Sequence, residues 1–152
     1  MEILKNSRVL RIIPFLLIMT LLCPFADGKI INVDDNGPAD FNTIQAAIDD
    51  ANDGDTVLVA TGTYAGEGNR DIDFKGKAIT VKSQGGPETC IINCKGSEED
   101  PHRGFNVYSQ SEAKAVLDGF TVINGYVDEP GGGIFCGDSG IVKNCIITNK
   151  CW

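Results

Sequence analysis

The 152-residue chain carries 21 acidic and 13 basic side chains but a single histidine, so acid–base chemistry in it would rest chiefly on carboxylates. The best-placed acids are Asp71 and Asp73, which flank Ile72 and follow Arg70. Alternation with Ile72 and Phe74 would send both carboxylates out of one strand face, where they would suit calcium or the hydroxyls of a sugar. Asp71 and Asp73 are therefore the candidate metal ligands; a solvated strand face is the competing reading. Asp49, Asp50, Asp53 and Asp55 are read as solvated acids on and just after a helix, and Gly96 to Arg103 as a solvated acidic loop. Within that loop His102, in Pro101-His102-Arg103-Gly104, is read as exposed. The chain has no serine in a nucleophile elbow, no nucleotide-binding glycine loop and no spaced zinc set. Gly131-Gly132-Gly133 precedes a strand rather than a helix, which suits a turn better than a phosphate cradle. No catalytic or cofactor-binding residue is assigned.

Cysteine spacing adds little chemistry. Cys90 and Cys94, four apart on an extended segment, would place their Cα atoms about 13 Å from each other, beyond disulfide reach. Zinc pairs usually sit closer and come with a second pair, so the expected role is packing in a core.

The N-terminus reads as an export signal. Lys5, Arg8 and Arg11 precede an apolar run from Ile12 to Leu22, and Ala26-Asp27-Gly28 offers small residues before a cut ahead of Lys29. Residues 1–28 are thus assigned as a signal peptide and 29–152 as the exported domain, secreted or held at the cell surface. The apolar run is too short to span a bilayer, and no membrane span is expected after cleavage. Cleavage would remove Cys23 and leave Cys90, Cys94, Cys136, Cys145 and Cys151. The net charge of -8 disfavours nucleic acid and anionic membrane as partners.

These residues need elements to position them. Lys29 to Asp34 reads as a first strand. A helix follows, with Asn42 as N-cap, Gln45 three residues on, and Phe41, Ile44, Ala47, Ile48 and Ala51 on one apolar face before Gly54. After Asp55 short apolar segments alternate with turn residues: Thr56 to Ala60, Ile72 to Phe74, Ala78 to Val81, Cys90 to Asn93, Val116 to Val122, Gly133 to Phe135 and Ile141 to Thr148. Val116 to Val122 aligns with Val142 to Thr148 at an offset of 26 (142 minus 116), in the range of stacked solenoid coils. In that alignment Asp118 lies over Asn144, both side chains suited to a left-handed turn and to a hydrogen-bonded ladder.

Asp40 to Ile48, Gly54 to Val59 and Gly62-Thr63-Tyr64 resemble the entry to right-handed parallel β-helix proteins of the pectin-lyase-like superfamily. Leu117 to Val122, Gly131 to Cys136 and Asn144 to Asn149 are similar to the repeats of bacterial secreted and surface proteins, including polymorphic outer-membrane-type proteins. The resemblance implies an all-β fold: a right-handed parallel β-helix, or solenoid, with one N-terminal capping α-helix. Such repeats usually continue beyond the position of Asn149, so residues 29–152 are expected to be the cap and first coils of a truncated stack, able to self-associate through an open C-terminal coil. A small cap formed by Trp152 is the alternative. The expected function is an exported noncatalytic module, a surface, adhesion or glycan-contacting scaffold whose partner is a polysaccharide or cell-surface component. The alternative is the N-terminal fragment of a pectin-lyase-like polysaccharide lyase or hydrolase. Neither requires a cofactor, calcium excepted.

Overall fold

The structure, a computed structural model, describes residues 28–148. The assigned signal peptide up to Asp27, with Cys23, and the terminal Cys151 and Trp152 lie outside the described residues. Among the described residues no helix is long and apolar enough to cross a membrane.

The short alternating segments form twelve strands: β1 (Ile30–Val33), β2 (Thr56–Val59), β3 (Gly62–Ala65), β4 (Ile72–Asp73), β5 (Thr80–Ser83), β6 (Cys90–Asn93), β7 (Phe105–Val107), β8 (Ala115–Asp118), β9 (Thr121–Ile123), β10 (Ile134–Cys136), β11 (Gly140–Lys143) and β12 (Ile146–Thr148). None can bury both faces alone, so successive turns stack. The first sheet runs β1-β2-β5-β8-β11, the second β3-β6-β9-β12 and the third β4-β7-β10. Every named strand pair is parallel. The fold is therefore an all-β parallel solenoid with a single short helix among the described residues, as the sequence leads one to expect.

Alternation decides what faces inward. One interior column of the first sheet stacks Ile31, Val57, Val81, Leu117 and Val142 in register, the first four fully buried. The second sheet stacks Tyr64, Ile92, Val122 and Ile147. The third stacks Ile72, Phe105 and Ile134. Phe105 meets Phe120 with ring centroids 5.3 Å apart and planes tilted 56°, a favoured aromatic geometry.

The helix α1 (Ile44–Asp50) closes the end of the first coil, burying Ile44, Ala47 and Ile48. Its N-cap is Thr43, one residue later than Asn42: the Thr43 hydroxyl accepts from Ala46 N at 3.4 Å. Gln45 makes no capping box. Its Oε1 accepts from Asp73 N at 2.8 Å and its Nε2 donates to Asp73 O at 3.1 Å, so one carboxamide pairs with the free edge of β4 as a neighbouring strand would. At the other end of α1 the Lys77 ammonium donates to the carbonyls of Ile48, Asp49 and Ala51 at 2.7, 2.9 and 2.7 Å, satisfying acceptors that a helix end leaves open. Two acids read as merely solvated are structural. Asp55 is buried and accepts from Lys29 N and Asn52 N, both at 2.8 Å, and Asp53 accepts from Ala78 N at 2.9 Å.

Other expectations are corrected. Val116 to Val122 and Ile141 to Thr148 each contribute to two strands that meet at a corner, but the register and the residue at the corner differ from expectation. The register there is 25 (140 minus 115), with Gly140 over Ala115 and Val142 over Leu117, so Val142 does not lie over Val116. The left-handed corner is occupied by Gly119 (φ 86°) in one coil and Asn144 (φ 53°) in the next. Asp118 is not in that conformation, although Asn144 Nδ2 reaches back to its Oδ1 at 2.8 Å. That hydrogen bond, and then Lys143, hold the Asp118 carboxyl below its ordinary range. Gly62–Ala65 and Phe105–Val107, absent from the sequence reading as strands, complete their coils.

Candidate functional site

The outward residues of the third sheet come from three successive coils. Asp73 of β4 pairs with Asn106 of β7, and Asn106 with Phe135 of β10, giving one row at strand spacing. Asp73 Oδ1 accepts from Lys75 N at 2.6 Å, and its Oδ2 accepts from Asn106 Nδ2 at 3.3 Å. Asn106 Oδ1 is buried without a partner among the described residues. Phe135 is 43% exposed. The Arg103 guanidinium carbon lies 5.7 Å from the Phe135 ring centroid, a cation–π geometry that fixes the cation against the apolar face. Packing between coils requires a glycine at Gly104: a Cβ there would come within 2.6 Å of Gly133 O, so the backbones of β7 and β10 approach closely beneath this face.

Asp71 does not point out of the strand beside Asp73. It sits at the corner before β4 in the left-handed conformation, φ 51°, where its Oδ2 contacts His102 Nδ1 and its Oδ1 accepts from Arg103 N at 2.8 Å. The two candidate ligands are thus engaged separately, and among the described residues no group of three His, Cys, Asp or Glu side chains converges on a cation site.

His102 is not an exposed loop residue. Its side chain is 18% exposed, its backbone carbonyl accepts from Tyr126 N at 2.8 Å, and its Nε2 lies 3.1 Å from Asp100 Oδ2, off the line of a hydrogen bond. Arg70 closes the cluster, donating to Cys94 O at 3.1 Å and approaching Asp100 Oδ2 at 3.8 Å. Carboxylates at both ring nitrogens leave the imidazole no free nitrogen to present to a substrate. General-base work would first require Asp100 to swing away. The acidic loop is therefore pinned onto the solenoid at its C-terminal end.

A concavity of about 170 Å³ lies at the first coil and is lined by Asn32, Asp34, Pro38, Leu58 and Gln84 among others. It is below the usual size of ligand pockets.

Sequence reasoning missed Asn106, Arg103 and Phe135. The signals were the alternation Phe105-Asn106-Val107 for Asn106, too short to stand out, and the strand segment Gly133 to Phe135 for Phe135; Arg103 had none. The fold and this face define the protein's class: a parallel β-solenoid with a mixed aromatic and polar outer sheet. Compared with family models, with curated proteins and with solved structures, the chain finds no match.

Proposed function

We propose that the protein is an exported, noncatalytic scaffold that lays its third sheet against a polysaccharide or another cell-surface glycan. The observation that carries the reading is the row Asp73, Asn106, Phe135 with Arg103 held on the aromatic ring. A sugar ring stacks its C–H face on an exposed aromatic, while carboxylate, carboxamide and guanidinium groups answer its hydroxyls. Stacked coils repeat such groups along a line, which suits a linear polymer. The likeness to pectin-lyase-like repeats favours the same reading.

Retention on gels carrying immobilised polysaccharides, one neutral β-glucan and one polygalacturonate, tests it. Phe135→Ala should weaken binding by about tenfold, the order expected for one stacked aromatic, while Val116→Thr on the first sheet leaves it unchanged. Equal retention of both variants, or of neither polymer by the parent chain, would overturn the reading.

A second reading, the N-terminal fragment of a pectin-lyase-like polysaccharide lyase or hydrolase, draws on the resemblance of the entry and repeats and not on His102, both of whose ring nitrogens face carboxylates. Incubation with polygalacturonate and calcium, followed by the absorbance of unsaturated product, decides it. Turnover would displace the noncatalytic scaffold.

A further inference from the structure

Among the described residues four pairs have the sequence from which a five-membered imide forms most readily, an Asn or Asp followed by glycine: Asn36-Gly37, Asp53-Gly54, Asp118-Gly119 and Asn124-Gly125. Ring closure needs the glycine nitrogen free to reach the preceding side-chain carbon, and a residue without a Cβ obstructs that approach least.

The coil stack engages three of the four. Gly54 N donates to Ala78 O at 2.9 Å, while the Asp53 carboxylate accepts from Ala78 N. Gly119 N donates to Lys143 O at 3.2 Å, and Asn144 holds the Asp118 carboxylate. Asn124 is tied on both sides: its Nδ2 donates to Asn93 Oδ1 at 3.0 Å and its carbonyl accepts from Gly96 N at 2.8 Å. Gly125 is buried so tightly that a Cβ would come within 2.0 Å of Gly132 O.

Asn36-Gly37 lies in the turn between β1 and α1, exposed with its neighbours from Asp35 to Asp40. The Gly37 amide donates to no partner among the described residues. Both contacts of Asn36 are local: its N donates to Asp34 Oδ1 at 2.9 Å and its Nδ2 to Asp35 Oδ1 at 2.6 Å. Such contacts open without unfolding a coil. Asp34 also restricts position 37 to glycine, because a Cβ there would come within 2.4 Å of its Oδ2.

We propose that Asn36 is a self-modification site, converted with time to aspartate and isoaspartate while the stack protects Asn124. The Gly37 nitrogen gives its proton to solvent base and bonds to Asn36 Cγ; the Cγ–Nδ2 bond breaks, and Nδ2 takes a proton from solvent and leaves as ammonia. Water then opens the imide, at Cγ to give aspartate or at the main-chain carbonyl to give isoaspartate. Water is the only co-reactant. Either product adds a negative charge beside Asp34 and Asp35, and isoaspartate lengthens the main chain between Val33 and Phe41, whose bridge closes this turn. The inference does not rest on glycan binding.

Incubation of the full chain as recovered at pH 8, then digestion at acid pH and peptide mass spectrometry, should show Asn36 turning to acid at least about tenfold faster than Asn124. Isoaspartate should be present at position 36, detected by enzymatic methylation of the same peptide. In urea the two asparagines should react at comparable rates, since the difference belongs to the fold. Asn36→Gln, which would need a larger ring, should stop conversion at that position on the same timescale and leave the strand spectrum unchanged. An unmodified Asn36, equal rates at Asn36 and Asn124 in the folded chain, conversion without isoaspartate, or a rate difference that survives in urea would each overturn the proposal.

Discussion

Cys90 and Cys94 are fully buried, and Cys90 Sγ donates to the Ala60 carbonyl at 3.6 Å. Burial, the largest cause in each case, pushes both thiols up to about 12, with Asp35 adding to it for Cys90 and Asp71 for Cys94. A thiol whose folded value exceeds its unfolded one contributes stability that is complete below the unfolded value of 9.0 and is lost as pH rises from there toward 12. Iodoacetamide at pH 8 should therefore label exposed Cys136 and spare Cys90 and Cys94 until denaturant is added, a difference peptide mass spectrometry reads directly. Rapid labelling of Cys90 in the folded chain would contradict the packing described. The core role of these cysteines was legible by elimination, since four residues apart on an extended segment they lie beyond disulfide reach and no second pair marks a zinc site. The role of His102 was not: its partner Asp71 is 31 residues away, and no local period links two residues brought together by coil stacking.

At the scale of elements, the cap concentrates its polar satisfaction in a few side chains. Gln45→Ala would leave Asp73 N and O without their partner and should cost about 1–3 kcal/mol in urea unfolding, with strand content unchanged in circular dichroism. A loss well under that would mean that water substitutes for the carboxamide. The helix and most strands could be read from apolar spacing, which burial itself imposes. The corner within Val116 to Val122 was legible, but the residue that makes it was not: the left-handed conformation falls on Gly119, φ 86°, and not on Asp118. The one-residue error in register has the same origin: Asn144 bonds Asp118, 26 positions away, while the strands beside them pair at 25 (143 minus 118).

For the whole molecule, each coil touches only its neighbours, so damage should stay local and directional. Phe120→Ala removes a fully buried ring that stacks on Phe105 and should cost about 3–5 kcal/mol, a large fraction of a small domain's stability. Hydrogen exchange should then show β8 to β12 opening while β1, β2 and α1 remain protected; uniform loss of protection would show that the coils melt as one unit. The stack itself was legible from the sequence. Its irregular pitch was not: Thr80 to Val116 spans 36 positions (116 minus 80) because loops on either side of β7 lengthen that coil, and loop length carries no periodic signature. The closed end has a further consequence for biogenesis. A ribosome delivers β1 and α1 before any later coil, and the seal is complete once the chain has emerged as far as Asp73 and Lys77, which bond α1, with most of the stack still to come. Each subsequent turn can then be added onto an already ordered rim, in the order of synthesis, without waiting for distant sequence to arrive.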